Sequence, residues 1–386
     1  MMAEAATTLS KSFLAFFRGE RAAAIVLIAC TVLAMSVANS PAGAAVHAFW
    51  GTSIGGHTLV EWINDALMAV FFLLVGLELE RELYNGELSD LRKALLPIVA
   101  ALGGVLVPAA IHYALNAGSP TQAGAGIPMA TDIAFALGVL ALLGERVPPS
   151  LKVFLSALAV IDDLVAMLVI AFGYAGGLSI AWLGAAFAVF ALLFACNRLL
   201  RVQALWPYLL GGLVMWWCML RSGVHPTLAG VALAFTIPFS ARVDDEASPS
   251  HRLEAALHAP VAYIVLPLFA LANTGLVLGE HFVTGLREPN SLGILGGLVL
   301  GKPIGIVAAC ALAVAVGLCK LPEDLRWKHV VGAGMLGGIG FTMSIFIANL
   351  AFAGNDFLVG ESKGAVLLAS LISSLLGLVW LRQVEK

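Results

Sequence analysis

Uninterrupted apolar runs constrain this chain more than any other feature. From Ala94 to Asn116 no residue is charged. As an α-helix that stretch would be roughly 34 Å long, enough to cross a hydrocarbon core of about 30 Å. Similar runs recur along all 386 residues between short polar breaks. Backbone groups in hydrocarbon must bond within their own segment, so these runs read as helices. Membrane strands would alternate apolar and polar residues, and these runs are continuous. The chain is 60% hydrophobic and 12% charged, against roughly 25% charged residues in a soluble domain. The expected fold is an all-α polytopic membrane protein of about twelve spans, forming one integral-membrane domain over 1–386 with no separate soluble domain. The spans centre near residues 30, 70, 105, 132, 163, 190, 212, 230, 267, 303, 340 and 370.

The basic residues give the orientation. With the N-terminus in the cytoplasm and sides alternating, seventeen Lys and Arg fall on the cytoplasmic side. Three fall opposite (Arg221, Arg287 and Lys363), and Lys302 lies inside a span. That asymmetry follows the positive-inside rule and places both termini in the cytoplasm. The first apolar run, about 22–38, is long for the core of a signal peptide and reads as a retained span. A net charge of −3 points to no nucleic-acid partner. The five scattered cysteines contain no CxxC and read as reduced packing residues. The polar, Gly-rich loop at about 41–58 suits a hairpin outside the membrane.

Ionisable groups inside spans cost from a few to over ten kcal/mol each. Five stand well inside these runs: Asp65, Asp132, Asp162, Asp163 and Lys302. Asp162 and Asp163 sit about 18–20 Å along a span that starts near Ser150, close to the bilayer midplane. Helix neighbours point roughly 100° apart, so the two carboxylates can flank one cavity. In a low dielectric both cannot ionise freely. The pair can hold protons or a cation, and that competition is the chemistry of an exchanger. Lys302 is a lone mid-span cation suited to neutralise a carboxylate or a set of carbonyl dipoles. Asp65 fits equally an outer funnel and a hydrogen-bonded packing position.

Two segments predict broken helices. One is Gly126-Ile-Pro-Met-Ala-Thr-Asp132, where Pro128 removes a donor and Thr131 and Asp132 offer alternative bonding. The other holds Gly337, Gly338 and Gly340. Irregular backbone at this depth is tolerated only around a cavity. One break in each half points to inverted-topology repeats, spans 3–5 (about 95–175) and spans 10–12 (about 291–382). The two discontinuous helices would cross at mid-membrane. By charge sign, Asp132 could offset the paired helix N-termini and Lys302 the paired C-termini.

The stretches Ala130-Thr-Asp-Ile-Ala-Phe-Ala-Leu-Gly138, Ile161-Asp-Asp-Leu164, Ser222-Gly-Val-His-Pro-Thr-Leu-Ala-Gly230, Gly301-Lys-Pro-Ile-Gly305 and Gly337-Gly-Ile-Gly-Phe-Thr-Met-Ser-Ile-Phe346 together resemble NhaA-type sodium/proton antiporters. The resemblance covers nearly the whole chain. It implies that Asp163 is the main Na⁺ or Li⁺ ligand, with Asp162 beside it and paired with Lys302 in the proton-loaded state. It implies that Thr131 and Asp132 lie in the crossing of the broken helices and belong, with Asp162 and Asp163, to the cation- and proton-binding set. It further implies exchange of Na⁺ or Li⁺ for H⁺ without a cofactor, a bacterial inner membrane, and a homodimer through the 41–58 loop. The family's pH-control cluster matches Glu78, Arg81 and Glu82, with Glu254 and His258; His225 is a further candidate. By position alone these charges fit a solvated rim equally well. Ala255 and His251 depart from the family pattern there, so a pH midpoint does not carry over. A sodium-coupled symporter of related architecture is the alternative, and it would need a pocket for an organic substrate. An intramembrane protease would need a GxGD or HExxH context, which the chain lacks.

Overall fold

The computed structural model describes residues 21–174, 176–240 and 248–384. Lys11, Arg18, Arg242 and Lys386, four of the residues that set the expected orientation, lie outside them. The described chain is helical apart from one small hairpin.

Among the described residues, eight helices are long and apolar enough to cross a membrane: α1 (Arg21–Ala38), α2 (Leu59–Tyr84), α3 (Ala94–Asn116), α6 (Pro149–Gly173), α7 (Ile180–Arg198), α10 (Pro249–Asn273), α11 (Pro289–Ala315) and α14 (Asp356–Val384). Two helix pairs qualify only together. The 3-10 helix α4 (Pro120–Met129) meets α5 (Ile133–Ala141) at 43°, and α12 (Trp327–Gly337) meets α13 (Phe341–Ala351) at 45°. Counting each pair as one span gives ten, against the twelve expected. The two that fall short are α8 (Trp206–Ser222), with 17 residues, and α9 (Leu228–Ala234), with 7. Pro226 and Pro238 bracket α9, and proline interrupts helical bonding at both positions. Apolar sequence therefore runs on where the helix does not.

Packing divides the helices into two groups. α3, α4, α11, α12, α13 and α14 pack on one another, and α6 is set among them. α2, α8, α9 and α10 form the other group, with α7 on α8. Contacts between α13 or α14 and the second group are sparse. Burial follows this plan. Most of the apolar stretch of α6 is buried, against little of α7 and α1. The aspartate-bearing helix is thus central, while α1 and α7 face outward, as lipid-contacting helices do.

α3 and α11 meet backbone to backbone. A Cβ on Gly103 would lie 2.2 Å from the Gly305 carbonyl oxygen, and one on Gly305 would lie 2.1 Å from that of Gly103. Only glycine fits either side of this seam. Near it, α11 contains a π-helical turn, Gly297–Gly301, directly before Lys302. The Lys302 amide bonds Gly297 O, five residues back, and Pro303 has no amide to offer. Such turns rotate the following side chains and recur at functional sites.

Between α1 and α2 the chain forms a short helix (Gly43–Trp50) and then a hairpin, which occupies only the last part of the expected 41–58 loop. β1 (Ser53–Ile54) pairs antiparallel with β2 (His57–Thr58). Gly55 and Gly56 connect them with φ of 64° and 91°, the doubly left-handed turn that favours glycine. All five cysteines are free.

Candidate functional site

The breaks in the two helix pairs lie against α6 and α11. At the first, Ala130 and Asp132 leave helical geometry for extended backbone (ψ of 149° and 100°). The second break falls where the sequence places it, at Gly338–Gly340. Neither Gly338 nor Gly340 has a positive φ. They are needed for space: a Cβ on Gly338 would fall 2.4 Å from Leu298 O and 2.5 Å from Ser373 Oγ. The breaks join through the backbone, where Asp132 N–H donates to Ile339 O at 2.7 Å.

Asp132 caps two helices at once. Its Oδ1 accepts from Phe135 N (2.9 Å) in the first turn of α5. Its Oδ2 accepts from Thr342 N (3.1 Å) and Thr342 Oγ1 (2.6 Å) at the start of α13. One carboxylate therefore faces both helix N-termini, where a negative charge is favoured. Ser370 on α14 accepts a further α13 amide, Phe341 N–H, at 3.1 Å. At the opposite ends, Thr131 Oγ1 lies 2.8 Å from Gly337 O, the last residue of α12. Ser344 Oγ donates to Ile127 O near the end of α4 at 2.7 Å.

Asp162, Asp163, Thr131 and Lys302 are all buried, with exposure of 0–1%. Lys302 Nζ makes an ion pair with Asp162 Oδ2 and donates to Thr131 Oγ1 at 3.1 Å. Thr131 Oγ1 lies 2.7 Å from Asp162 Oδ2. The hydroxyl has one hydrogen and two acceptors in reach, Asp162 and Gly337 O. Two carboxylate oxygens, Asp162 Oδ1 and Asp163 Oδ1, are buried with no hydrogen-bond partner. Buried polar atoms are rarely left so, and those that are call for a proton or an ion to complete them. Lys302 answers Asp162 and leaves Asp163 without a direct counter-charge.

The family model "Na+/H+ antiporter 1" matches residues 14–381. The chain belongs to that family. It is 63% identical over 380 residues to the Na(+)/H(+) antiporter NhaA of Dechloromonas aromatica (strain RCB), with 98% of each chain covered. It is 54% identical to the protein of that name from Cytophaga hutchinsonii, covering 96% of this chain and 95% of the relative. Among solved structures it resembles the sodium proton antiporter MjNhaP1 from Methanocaldococcus jannaschii at pH 8, with a TM-score of 0.55 at 15% identity. That match covers 94% of this chain and 91% of the other, and it bears on the fold alone. With its apolar helices, this member of the antiporter family is a multi-pass membrane protein.

The structure also assembles the charges matched to the family's pH cluster. Arg81 Nε meets Glu254 Oε1 at 3.1 Å and Arg81 Nη2 meets Glu82 Oε1 at 3.5 Å. His258 Nε2 lies 3.4 Å from Glu78 Oε1. Residues of α2 and α10, some 170 positions apart, thus form one group. His225 is not part of it. Its Nε2 lies 3.6 Å from Asp65 Oδ1, toward the hairpin end of α2, and its Nδ1 lies 2.8 Å from Thr227 Oγ1. Asp65 is accordingly a partner of His225. Thr342, Ser344 and Ser370 complete the helix ends, yet sequence reasoning gave them no role. Neutral hydroxyls in apolar runs carry no charge signal. For Thr342 and Ser344 the one cue is proximity to the glycine-rich break, and Ser370 has none.

Proposed function

We propose that the chain exchanges Na⁺ or Li⁺ for H⁺ across a bacterial inner membrane, electrogenically and by alternating access around Asp162 and Asp163. The family assignment supports sodium/proton antiport. The observation that carries the site is the pair of buried, partnerless oxygens, Asp162 Oδ1 and Asp163 Oδ1, beside the Lys302–Thr131 contacts. Asp163 is the main cation ligand in this reading, and Asp162 adds a second oxygen. Asp132 serves as charge compensation, because its oxygens are engaged by helix ends.

The ion pair sets the proton count. With Asp163 protonated and Asp162⁻ paired with Lys302⁺, the site is neutral. A monovalent cation displaces the Asp163 proton. If the Asp162–Lys302 pair keeps its own shared proton, the site stays neutral and exchange is one for one. Electrogenic exchange requires that pair to release a second proton, leaving neutral Lys302 and a net charge of −1. A membrane negative inside then favours cation export by about 2.3 kcal/mol per charge at 100 mV. No cofactor enters the cycle.

The architecture proposed is twelve spans, with α8 and α9 as short ones and both termini cytoplasmic. The trios α3–α6 and α11–α14 form inverted repeats that cross at the two breaks. The reciprocal Gly103–Gly305 contact between the leading helices of the trios supports that symmetry. The Glu78–Arg81–Glu82–Glu254–His258 group modulates activity with pH, and the β1–β2 hairpin supports a homodimer.

The test is Na⁺- or Li⁺-driven proton flux in proteoliposomes. Asp163→Asn is expected to reduce flux by at least a hundredfold. Clamping the potential at 100 mV, inside negative, is expected to accelerate wild-type export. Full activity in the variant removes the ligand assignment, and indifference to potential removes electrogenicity.

A further inference from the structure

Beyond the ion site, one polar cluster crosses between the two helix groups. Asn273, the last residue of α10, is 2% exposed and its amide is saturated. Its Nδ2 donates to Asn64 Oδ1 on α2 at 2.8 Å and to Phe269 O at 3.1 Å. Its Oδ1 accepts from Asn349 Nδ2 on α13 at 2.8 Å and from Lys363 Nζ on α14 at 3.2 Å. Asn64 and Asn273 belong to the α2–α10 group. Asn349 and Lys363 belong to the group that holds the aspartates.

A second layer lies one turn nearer the site. Phe346 is three residues before Asn349, so it shares a face of α13. Its ring meets Phe72 on α2 at 5.5 Å, His225 edge-on at 5.2 Å and Phe269 on α10 at 6.5 Å. All three partners belong to the α2–α10 group or the turn leading into α9. Phe346 and Asn349 stand about 6 and 10 Å along α13 from Thr342, which bonds Asp132. The half-helix that starts at the ion site therefore ends in two cross-group contacts.

We infer that Asn273, with Asn349, Lys363 and Phe346, forms the gate that closes the hairpin-side route to the aspartates. The inference rests on alternating access. If the groups rock against each other, contacts within a group persist and contacts between groups must part. The Arg81–Glu254 and His258–Glu78 contacts join α2 to α10, within one group, so the motion leaves them intact. The Asn273 bonds to Asn349 and Lys363 cross the boundary and must break for each ion released on that side. Each is a neutral or singly charged hydrogen bond, modest in net strength. Such a gate is specific in geometry yet light enough to open at transport rates.

The experiment locks the gate covalently. Asn273→Cys with Asn349→Cys is reconstituted and treated with a short bifunctional methanethiosulfonate. Wild type, with its five native cysteines, is treated in parallel as control. The expected result is a 273–349 bridge by mass spectrometry and a loss of Na⁺-driven proton flux of at least tenfold, reversed by dithiothreitol. No bridge, or continued flux through the bridged protein, overturns the gate. Absence of Na⁺-driven flux in untreated wild type would instead sink the antiport reading. As a second arm, Asn273→Ala is combined with Ala348→Cys, a buried position beside Asn349. A membrane-impermeant thiol reagent added on the hairpin side should label it about tenfold faster than Ala348→Cys alone. An unchanged rate also overturns the gate.

Discussion

Thr342 shows how much of the site rests on neutral groups. It gives Asp132 two donors, one from its backbone and one from its hydroxyl. Thr342→Val keeps the shape and removes the hydroxyl, leaving a buried carboxylate oxygen one donor short, at a cost of about 1–3 kcal/mol. Thermal unfolding in detergent should drop by several degrees, and the apparent KM for Na⁺ should rise several-fold as the crossing loosens. An unaltered KM would mean that Asp132 does not position the site. Asp162, Asp163 and Lys302 were legible in the sequence because a charge inside an apolar run is costly and stands out. The bonds of Thr342, Ser344 and Asn273 were not, because a hydroxyl or amide there costs little and its partner is between 76 and 217 residues away. Asp132 was legible as a break and as compensation for helix ends. That both its oxygens are consumed in that task needed coordinates.

Helices and breaks were mostly readable, and their lengths were not. Every predicted span centre falls in a helix or at one of the two breaks. The breaks near Asp132 and Gly340 follow from residues that loosen or crowd a helix. The shortness of α9 does not, since hydrophobic length outlasts helical length between its bracketing prolines. The α3–α11 seam is also invisible to hydropathy, because glycine contributes almost nothing to it. Gly305→Val would drive a side chain into the Gly103 carbonyl. Such overpacking typically costs 1–3 kcal/mol, and more against backbone. Transport should fall at least tenfold with a lower melting temperature, and Gly103→Val should behave alike. A well-folded, active Gly305→Val protein would contradict the close approach of these helices.

For the whole molecule, the two helix groups and the hairpin lead to separate expectations. The hairpin exposes Ser53 and Ile54 and contributes nothing to the aspartate site. The proposed homodimer is expected as the wild-type mass in native mass spectrometry, and replacing 53–58 with a flexible linker should leave monomer, while flux per chain stays within about threefold of wild type. A persistent dimer would place the interface elsewhere. Orientation is checked by the accessibility of a cysteine at position 54, which should be labelled only from the outside of intact cells.

The Thr131 hydroxyl carries a spectroscopic consequence. One hydrogen serves either Asp162 or the Gly337 carbonyl. A cation held by the aspartates would draw the Thr131 oxygen toward itself and turn that hydrogen to Gly337. Occupancy of the site is then encoded as the vibrational frequency of a single peptide group. A ¹³C label at the Gly337 carbonyl should shift to lower wavenumber when Na⁺ is added. The shift should vanish in Thr131→Val, making one amide band a direct reporter of ion loading.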